Sequence, residues 1–484
     1  MSAPKPLVET RLFINGEYAD ASDRKTFKLY NPATHDLVAE VAEASADDTN
    51  RAVAAAKAAQ PAWAELAPHQ RGAHMKKLAA LIRDNMQELA VLEAMSMGKP
   101  VGTYIDGVLA AGRLDTFAEA GGLVQGKTSL NTPGTVGFTW KQPFGVVAGI
   151  IPWNVPLYFC INKAAPALVV GNVVVIKSSE KAPLTSARIG HWIKEAGFPP
   201  GVFNIISGYG NPSGVTLASH MDVRAISFTG SGRTGRAITV AAAQSNLKNV
   251  TLELGGKSPA IIFEDADLEQ AAAETQYSIQ WNSGQVCMAN SRIYVQDTVA
   301  DKYIATFKKM FGAAKAGDPT DPGINHGPVA DEVQYHNVHR YIDMAKAAGG
   351  ELLLGGEKAE KGKGFFVKPT IFTNTPEDHQ FMKEEIFGPV VNISVFSSED
   401  EVLKKANDTE YGLYSSVYTK NIDRAMRVAK HLEAGTVGVN CTSPTTCHDL
   451  PFGGYKASGT GREGVRESLD HFCEVKTVVV KVGK

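Results

Sequence analysis

The chain has 484 residues, of which 44 % are hydrophobic and 21 % are charged, and its formal net charge is −2. This length and this balance are typical of a soluble globular protein with two or three domains. Because the chain has no positive excess, we expect no binding to the backbone of a nucleic acid. Prolines and polar residues interrupt the most apolar tract, residues 146–176, which argues against a membrane span.

The two ends and the cysteines indicate the compartment. The N-terminal MSAPKPLVET has no apolar signal region, and the C-terminal KVGK has no peroxisomal or lipidation motif. The five cysteines are odd in number and have no C-x-x-C spacing, which favours free thiols in a reducing compartment. We therefore expect a cytoplasmic protein. We expect no metal site either, because the adjacent Cys447 and His448 alone do not make one.

In chain order, the first predicted elements are a hairpin and two helices. RLFINGEYADA predicts a hairpin that turns at Asn15-Gly16. Apolar periodicity predicts helices over 46–65 and 69–97, the second beginning after Pro68 and ending at Gly98.

From residue 144 the pattern changes to short apolar strands separated by helices. The predicted strands are GVVAGII, NVVVIKS, FNIIS, AISFT and NVTLELGG, and the helices are 183–196, 212–219 and 233–245. A second alternation after Gly255 has helices 266–282, 298–315, 331–348 and 399–407, with strands SRIYVQ and NISVF. Such alternation favours parallel sheets covered on both faces, so we predict two α/β domains, each with its own sheet.

Two β-prone segments stand apart from this alternation. Residues 122–142 interrupt the first domain, and the tail FCEVKTVVVKV is unusually apolar for a chain end. An exposed strand of this kind aggregates unless it is paired. We expect the tail to join a partner sheet, and another subunit is one candidate for that partner.

The hexamer GSGRTG, residues 230–235, has the form G-x-G-x-x-G between a predicted strand and a predicted helix. A helix N-terminus presents free N–H groups to a phosphate, which favours dinucleotide binding. By spacing alone, Glu253, 18 residues after the last glycine, is a candidate ribose anchor. The alternative is an ordinary tight turn, and at least two strands precede the hexamer, unlike the usual arrangement.

Two residues are candidates for covalent and acid–base chemistry. Cys287 lies among small and polar residues in NSGQVCMANS, where a turn could expose a nucleophilic thiol. Such a thiol has to ionise, so we expect an oriented backbone dipole or a cation beside it. The alternative, a buried structural thiol, fits Cys160 and Cys473 better. Glu253 lies between two leucines in LELGG, so burial should raise the pKa of its carboxyl group, which suits a general base. The alternative is an ion pair with Lys257.

Three polar residues follow predicted strands. Asn154 lies between prolines in IIPWNVPLY, where a fixed side-chain amide could stabilise an oxyanion, although a simple turn is the alternative. Lys177 and Glu180 follow the buried run VVVI, residues 173–176, at the end where α/β sheets bind ligands. The alternative for both is surface charge.

Taken together, these motifs resemble those of the aldehyde dehydrogenase superfamily, from about residue 10 to the C-terminus. The matching motifs, in the family's order, are PWN, FTGSxxxG, LELGGKSP, GQVC, EEIFGPV and PFGGYKASGTGRE. The resemblance implies a Rossmann-like NAD-binding domain from residues 1–121 and 143–254 and a second α/β catalytic domain from 255–455. It also implies a small β oligomerisation arm, from 122–142 and 470–484, in a homodimer or homotetramer.

The resemblance also implies a mechanism. Cys287 would attack the aldehyde to give a thiohemiacetal, whose oxyanion Asn154 and the backbone N–H of Cys287 would hold. Hydride transfer to the nicotinamide would leave a thioester. Glu253 would activate the water that hydrolyses it, so the resemblance assigns Glu253 to catalysis rather than to the ribose.

For the cofactor, the resemblance implies NAD, because a carboxylate at Glu180 repels a 2′-phosphate. The nearby Arg233 leaves NADP as a weaker alternative. The implied cofactor residues are Ile151, Trp153, Lys177, Glu180, Gly210, Phe228, Gly230, Ser231, Gly235, Leu254, Glu385 and Phe387.

For the substrate, the resemblance implies a tunnel for a small aldehyde. Its residues are Val155, Tyr158, Phe159, Asn162, Trp281, Val286, Met288, Thr446 and Phe452. Relatives commonly have an aromatic residue at the position of Val155 and a tryptophan at that of Asn162, so this tunnel would be wider and more polar. We predict an aromatic or medium-chain aldehyde, hydroxylated ones included.

Three alternatives remain open. A thiol hydrolase or esterase would use Cys287, Asn154 and Glu253 without the cofactor residues. An acylating relative would release the acyl group to CoA, although Glu253 favours water. A non-catalytic dinucleotide-binding protein would need none of the three catalytic residues.

Overall fold

The computed structural model describes residues 6–358 and 364–483. Residues 1–5, 359–363 and 484 belong to the predicted segments 1–121, 255–455 and 470–484 but lie outside the described residues. The strands are β1 Leu12–Ile14, β2 Glu17–Ala19, β3 Thr26–Tyr30, β4 Leu37–Ala42, β5 Thr128–Ser129, β6 Thr135–Pro143, β7 Val146–Ile150, β8 Val173–Ser178, β9 Phe203–Ser207, β10 Val223–Thr229, β11 Asn249–Glu253, β12 Pro259–Ile262, β13 Arg292–Gln296, β14 Glu351–Leu354, β15 Thr370–Thr373, β16 Val390–Phe396, β17 Tyr411–Gly412, β18 Tyr414–Tyr418, β19 Thr436–Val439, β20 Tyr455–Lys456, β21 Gly459–Thr460 and β22 Cys473–Lys481.

The α-helices connect these strands and cover the sheets. They are α1 Ala46–Glu65, α2 Pro68–Asp84, α3 Met86–Met97, α4 Asp106–Ala120, α5 Pro156–Val169, α6 Leu184–Glu195, α7 Val215–Ser219, α8 Gly232–Gln244, α9 Leu268–Gln280, α10 Ala300–Gly312, α11 Glu332–Ala347, α12 Gln380–Lys383, α13 Glu399–Asn407, α14 Ile422–His431 and α15 Val465–His471.

The first sheet carries three of the predicted catalytic and phosphate motifs. Its strand order is β2-β1-β9-β8-β7-β10-β11-β21, and the five strands from β9 to β11 are parallel. Strands β7, β8 and β9 are buried along their whole length, which explains their continuous apolar sequence. The carboxyl ends of β7, β10 and β11 lead to Asn154, to the GSGRTG turn and to Glu253 respectively. Parallel strands thus bring these motifs to one edge of the sheet.

The second sheet has the order β14-β15-β16-β13-β12-β18-β19. Strand β14 is antiparallel to β15, and the other neighbours are parallel. The predicted strands SRIYVQ and NISVF are its adjacent members β13 and β16. The predicted mixed α/β architecture with two sheets is therefore confirmed.

The predicted hairpin is also confirmed, since β1 and β2 pair across Asn15-Gly16. The single helix predicted over 69–97 is wrong, because the chain leaves the helical conformation at Asn85. The Asn85 side-chain amide donates to the Leu81 carbonyl at 2.8 Å, a local bond that competes with the helix. The predicted end is correct: Gly98 has a φ of 80°, which glycine adopts without strain.

The apolar tract 146–176 consists of β7, helix α5 and β8. Within the described ranges, no helix combines the length and the apolarity that a membrane crossing requires. Helix α5 packs against α4, a helix that the sequence analysis did not predict. These two helices form much of one wall of the site described below.

The tail strand β22 pairs with β6 of the same chain, antiparallel from Cys473 opposite Pro143 to Lys481 opposite Thr135. Together with β5 they form a three-stranded sheet in which β22 is an edge strand. The partner that we expected for the tail strand is thus, at one edge of β22, a strand of the same chain. Trp140, Val475 and Val479 remain largely exposed on this sheet.

Candidate active site

Cys287 lies on a tight loop that follows α9. Asn282, Ser283 and Gly284 all have positive φ, and this turn directs the chain back toward the first sheet. The loop packs closely on the turn after β11, because a Cβ added to Gly256 would lie 2.2 Å from the Cys287 carbonyl oxygen. Gly256, the second glycine of LELGG, is therefore required by this close approach of two backbones.

Asn154 is fixed against the same loop. Its side-chain amide donates to the Gln285 carbonyl oxygen at 2.9 Å, and the Asn282 amide donates to the Asn154 carbonyl oxygen at 3.0 Å. Asn154 is buried, with 4 % of its surface exposed. An amide nitrogen carries two protons, so one N–H of Asn154 stays available to another acceptor.

Glu253 lies beside Cys287 at the end of β11. The thiol contacts the Glu253 Oε1 atom at 3.7 Å, and the Thr229 hydroxyl donates to Oε2 at 3.0 Å. Burial raises the pKa of Glu253 to about 7, helped by the negative charge of Glu463 and opposed by the Lys163 ammonium. The suggested ion pair between Glu253 and Lys257 does not form, since the charged partner of Glu253 is Lys163, at 3.9 Å.

The surroundings of Cys287 differ from the expected ones. Burial and the negative charges of Glu253 and Glu385 raise the pKa of the Cys287 thiol well above its usual value. The thiol is therefore protonated near neutral pH, and a neighbouring base has to remove its proton before it can act as a nucleophile. Glu253 is in contact with it for that step.

A chain of charged groups extends from Glu253 away from the thiol. Lys163, on α5, lies between Glu253 and Glu463 and forms a close ion pair with the Oε1 atom of Glu463. Glu463 in turn lines the cavity that reaches Cys287. Lys163 thus links two carboxyl groups, Glu253 and Glu463, that both line this cavity.

A cavity of about 570 Å³ opens onto Cys287. Eight of the nine predicted substrate residues line it: Val155, Tyr158, Phe159, Trp281, Val286, Met288, Thr446 and Phe452. Asn162 does not line it in the described part of the chain, because its amide turns to Glu463, at 2.6 Å. Asn162 therefore contributes to the wall only through Glu463.

Helix α4 supplies a further wall of this cavity, which was not predicted from the sequence. Its lining residues are Val108, Leu109, Gly112, Arg113 and Thr116. Arg113 donates to the His448 carbonyl oxygen at 3.1 Å and to the Tyr158 hydroxyl at 3.4 Å. Its Nε is buried and has no hydrogen-bond partner among the described residues. No sequence signal marked these residues as part of a cavity wall, because their polar and apolar residues form an ordinary amphipathic pattern.

A second cavity, of about 220 Å³, reaches Cys287 from the other side. Six predicted cofactor residues line it: Trp153, Gly230, Ser231, Leu254, Glu385 and Phe387. The rings of Trp153 and Phe387 meet edge to face at 5.3 Å, and Phe387 has a φ of 59°. Cys287, Asn154 and Phe159 line both cavities, so the thiol lies where the two meet.

Glu385 faces the turn after β11. Its Oε1 atom accepts a hydrogen bond from the Gly256 backbone N–H at 3.0 Å, and burial raises its pKa to about 7. A Cβ on Gly255 would lie 2.3 Å from Oε2, so glycine leaves the room that this carboxyl group occupies.

The remaining predicted cofactor residues lie along the same sheet edge. Glu180 lines a separate cavity of about 680 Å³, together with Lys181 and Tyr209. Lys177 is buried, its ammonium donates to the Ser178 carbonyl oxygen at 3.0 Å, and burial lowers its pKa to about 8. The other four do not line these cavities among the described residues: Ile151 and Phe228 are buried, Gly235 supports Leu254, and Gly210 begins the exposed turn after β9.

Comparison with known proteins finds similar sequences and structures over nearly the whole chain. The sequence model of the aldehyde dehydrogenase family matches residues 18–478. The chain belongs to the aldehyde dehydrogenase family. It is 43 % identical to an aldehyde dehydrogenase of Davidiella tassiana, over 98 % of this chain and 96 % of that one. It is 42 % identical to aldehyde dehydrogenase 1A1 of Gallus gallus, over 99 % and 96 % of the two chains.

Solved structures of aldehyde dehydrogenases share the fold. The indole-3-acetaldehyde dehydrogenase AldA of P. syringae, in complex with NAD⁺ and IAA, superposes with a TM-score of 0.96 at 39 % identity, covering 98 % of this chain and 97 % of that one. The gamma-glutamyl-gamma-aminobutyraldehyde dehydrogenase of Burkholderia cenocepacia J2315 has a TM-score of 0.96 at 41 % identity, covering 99 % and 97 %. This aldehyde dehydrogenase is thus an oxidoreductase that acts on aldehydes.

Proposed function

We propose that the protein oxidises an aromatic or medium-chain aldehyde, hydroxylated ones included, to the carboxylic acid with NAD. The observation that carries this proposal is the position of Cys287, which lines both the 570 Å³ cavity and the 220 Å³ cavity. A thiol at the junction of two cavities can bond to an aldehyde in one while a hydride acceptor lies in the other.

The residues of the second cavity fit a dinucleotide. The N-terminus of α8, after Ser231, presents free N–H groups that suit a pyrophosphate. Leu254, Trp153 and Phe387 offer apolar surface for a flat ring, and the Glu385 carboxyl group offers acceptors for a ribose. We assign binding of the adenosine ribose to Glu180, whose charge favours NAD over NADP. We assign Lys177 to the same ribose. When bound, NAD supplies the hydride acceptor.

In the first half of the reaction, Glu253 takes the thiol proton across the 3.7 Å contact, and the Cys287 sulfur attacks the aldehyde carbonyl. The free N–H of Asn154 and the backbone N–H of Cys287 hold the oxyanion. Each donor of this kind contributes on the order of 3 kcal/mol to transition-state stabilisation. Loss of hydride from this thiohemiacetal leaves a thioester on Cys287.

Glu253 lines the larger cavity and releases the thiol proton there before the second half begins. The Glu253 carboxylate then accepts a proton from the attacking water, and the acid leaves as the Cys287 sulfur recovers a proton. Thr229 and Lys163 orient this carboxylate. A carboxyl group with a pKa near 7 is well matched to this work, because it is ionised in part and still basic.

The lining of the larger cavity supports the substrate class. Its apolar walls and the rings of Phe159 and Phe452 suit a flat or medium-length substrate. Arg113 adds a buried Nε without a partner in the described residues, which favours a substrate whose far end accepts a hydrogen bond. A ring hydroxyl is such a group.

We further propose that the first sheet belongs to the NAD-binding domain, residues 1–121 and 143–254, and the second to the catalytic domain, residues 255–455. The β5-β6-β22 sheet would serve as the oligomerisation arm of a cytoplasmic homodimer or homotetramer. The free edge of β22 and its exposed valines support this assignment. Light scattering of the intact protein and of a Val475→Lys, Val479→Lys variant would test it: an unchanged mass would contradict it.

The experiment that tests the proposed function is a substrate panel with NAD and with NADP. We expect benzaldehyde and 4-hydroxybenzaldehyde to be oxidised with higher kcat/KM than acetaldehyde, NAD to be preferred, and CoA to have no effect on the product. A strong preference for acetaldehyde would contradict the substrate class. Hydrolysis of esters without aldehyde-dependent NADH formation would favour the thiol esterase instead.

A further inference from the structure

Asn162 and Lys163 are consecutive residues of α5 that hold the two oxygens of one carboxylate. The Asn162 side-chain amide donates to the Glu463 Oε2 atom at 2.6 Å, and the Lys163 ammonium pairs with Oε1. Asn162 is buried, with 6 % of its surface exposed. The carboxylate therefore has a donor on each oxygen, and only one of these donors carries a charge.

The backbone of Glu463 is fixed as well. Its N–H donates to the Phe452 carbonyl oxygen at 2.7 Å, and the Phe452 N–H donates back to the Glu463 carbonyl oxygen. Because Phe452 lines the substrate cavity, the segment that carries Glu463 is part of the cavity wall. Asn162 ties this segment to α5.

Lys163 has two acidic neighbours and faces both. Its ammonium pairs closely with Glu463 and lies 3.9 Å from the Glu253 Oε2 atom. The strength of one pair depends on the position of the other carboxylate. A Glu463 that is held in place keeps Lys163 engaged, whereas a Glu463 that moves away leaves the ammonium to Glu253.

We propose that Asn162 is a positioning residue for hydrolysis of the acyl-enzyme: its amide holds Glu463 on Lys163 and so keeps Lys163 from pairing fully with Glu253. The inference rests on the proposed function, because it assigns hydrolysis to Glu253. It explains why a polar residue lies at this position of α5, where its amide binds a carboxylate of the cavity wall.

The ionisable and charged groups around Glu253 come from several elements. They are Lys163 and Tyr158 on α5, Cys287 on its loop, Glu385, which acts on Cys287, and Glu463 and His471 around α15. Burial raises the pKa of Tyr158 and lowers that of His471, so both are neutral near neutral pH. Lys163 and Glu463 are therefore the charged groups through which Asn162 acts on Glu253.

Two substitutions should displace the pH profile of hydrolysis in opposite directions. Asn162→Leu removes the donor, frees Lys163 to pair with Glu253 and makes Glu253 a weaker base, so the acidic limb moves to lower pH. Asn162→Asp keeps the shape but places a second negative charge beside Glu463 and Glu253, so the acidic limb moves to higher pH. A purely structural role would slow both variants without this opposition.

The test is stopped-flow measurement of NADH formation from benzaldehyde and NAD across a pH series. Asn162→Leu should slow the steady state by about tenfold near pH 8, and the acidic limb of its pH profile should lie at lower pH than that of the parent. Acidic limbs of Asn162→Leu and Asn162→Asp that move in the same direction would overturn the inference.

A matched control is Asn392→Leu, which removes a buried side-chain amide bond, to Ser394 at 2.9 Å, in the second sheet. It should behave as the parent in steady-state rate and pH profile. Failure of the parent itself to form NADH with any aldehyde would refute the proposed function, whereas normal hydrolysis and an unchanged pH profile in Asn162→Leu would refute only this inference.

Discussion

Replacement of Glu253 by glutamine should slow acyl hydrolysis and, at the same time, stabilise the protein at alkaline pH. The carboxyl group has an ordinary pKa of 4.5 and a pKa of about 7 in the folded chain, because burial and Glu463 disfavour its charge. At 1.36 kcal/mol per pKa unit, the charged form costs about 3 kcal/mol of folding free energy. The neutral amide of a glutamine side chain avoids this cost.

The direction in which stability changes with pH follows from proton binding. Between pH 4.5 and about 7, the folded chain retains a proton on Glu253 that the unfolded chain has released. Stability attributable to this group therefore falls as pH rises through that window and stays low above it. The Glu253→Gln variant lacks this fall, so its advantage over the parent should be absent near the lower limit and largest above the upper one.

Two assays check this prediction. Thermal unfolding by scanning fluorimetry, from about pH 5 to about pH 9, should give a Tm difference that grows with pH in favour of Glu253→Gln. Stopped-flow kinetics should give a steady-state rate reduced by about 100-fold or more. A Tm difference that is independent of pH would refute the stated cause of the raised pKa, and an unchanged steady state would refute the base assignment.

The remaining predictions concern the neighbours of Glu253. Lys163→Met removes the positive charge that lowers the pKa of Glu253, so the acidic limb of the steady-state pH profile should move to higher pH. An acidic limb that stays in place would contradict the ion pair between Lys163 and Glu253. Gly256→Ala should lower kcat/KM by about 100-fold or more, since its Cβ would lie 2.2 Å from the Cys287 carbonyl oxygen. Near-normal activity would show that the Cys287 loop can move aside and would contradict a strict need for glycine. Glu180→Ala should narrow the NAD preference by lowering KM for NADP, and an unchanged ratio of the two KM values would remove Glu180 from the ribose. Arg113→Leu should raise KM for 4-hydroxybenzaldehyde more than for benzaldehyde, and equal effects would exclude a polar contact with the ring substituent.

Much of the fold followed from local patterns. The continuous apolar runs of β7, β8 and β9 predicted buried parallel strands, and the order of the motifs placed their chemistry at one sheet edge. The helix break at Asn85 could not be predicted from such patterns. The apolar periodicity continues through it, and the bond from Asn85 to Leu81 competes with the helix only locally.

The catalytic surroundings were predicted less completely, because they depend on contacts between distant segments. Lys163 was noticed only as an interruption of an apolar tract, and Glu463 only as the last letter of GTGRE. The two lie 300 residues apart in sequence, and only the fold brings them together. The same contact explains why Asn162 faces Glu463 rather than the cavity.

The activation of Cys287 was also beyond the sequence. A dipole or a cation was expected to favour its thiolate, but its charged neighbours, Glu253 and Glu385, are carboxyl groups that raise the pKa of the thiol. Burial sets both this pKa and that of Glu253, and sequence patterns alone do not give burial at a junction of two cavities.

In the proposed mechanism, aldehyde oxidation proceeds through a thioester on Cys287. The most direct test is peptide mass analysis of the parent enzyme, acid-quenched within the first turnover after mixing with benzaldehyde and NAD. We predict a benzoyl group on Cys287 in an amount that matches the NADH formed in the first turnover, and neither product in Cys287→Ala. NADH formation without an adduct on Cys287, or full dehydrogenase activity in Cys287→Ala, would contradict the account.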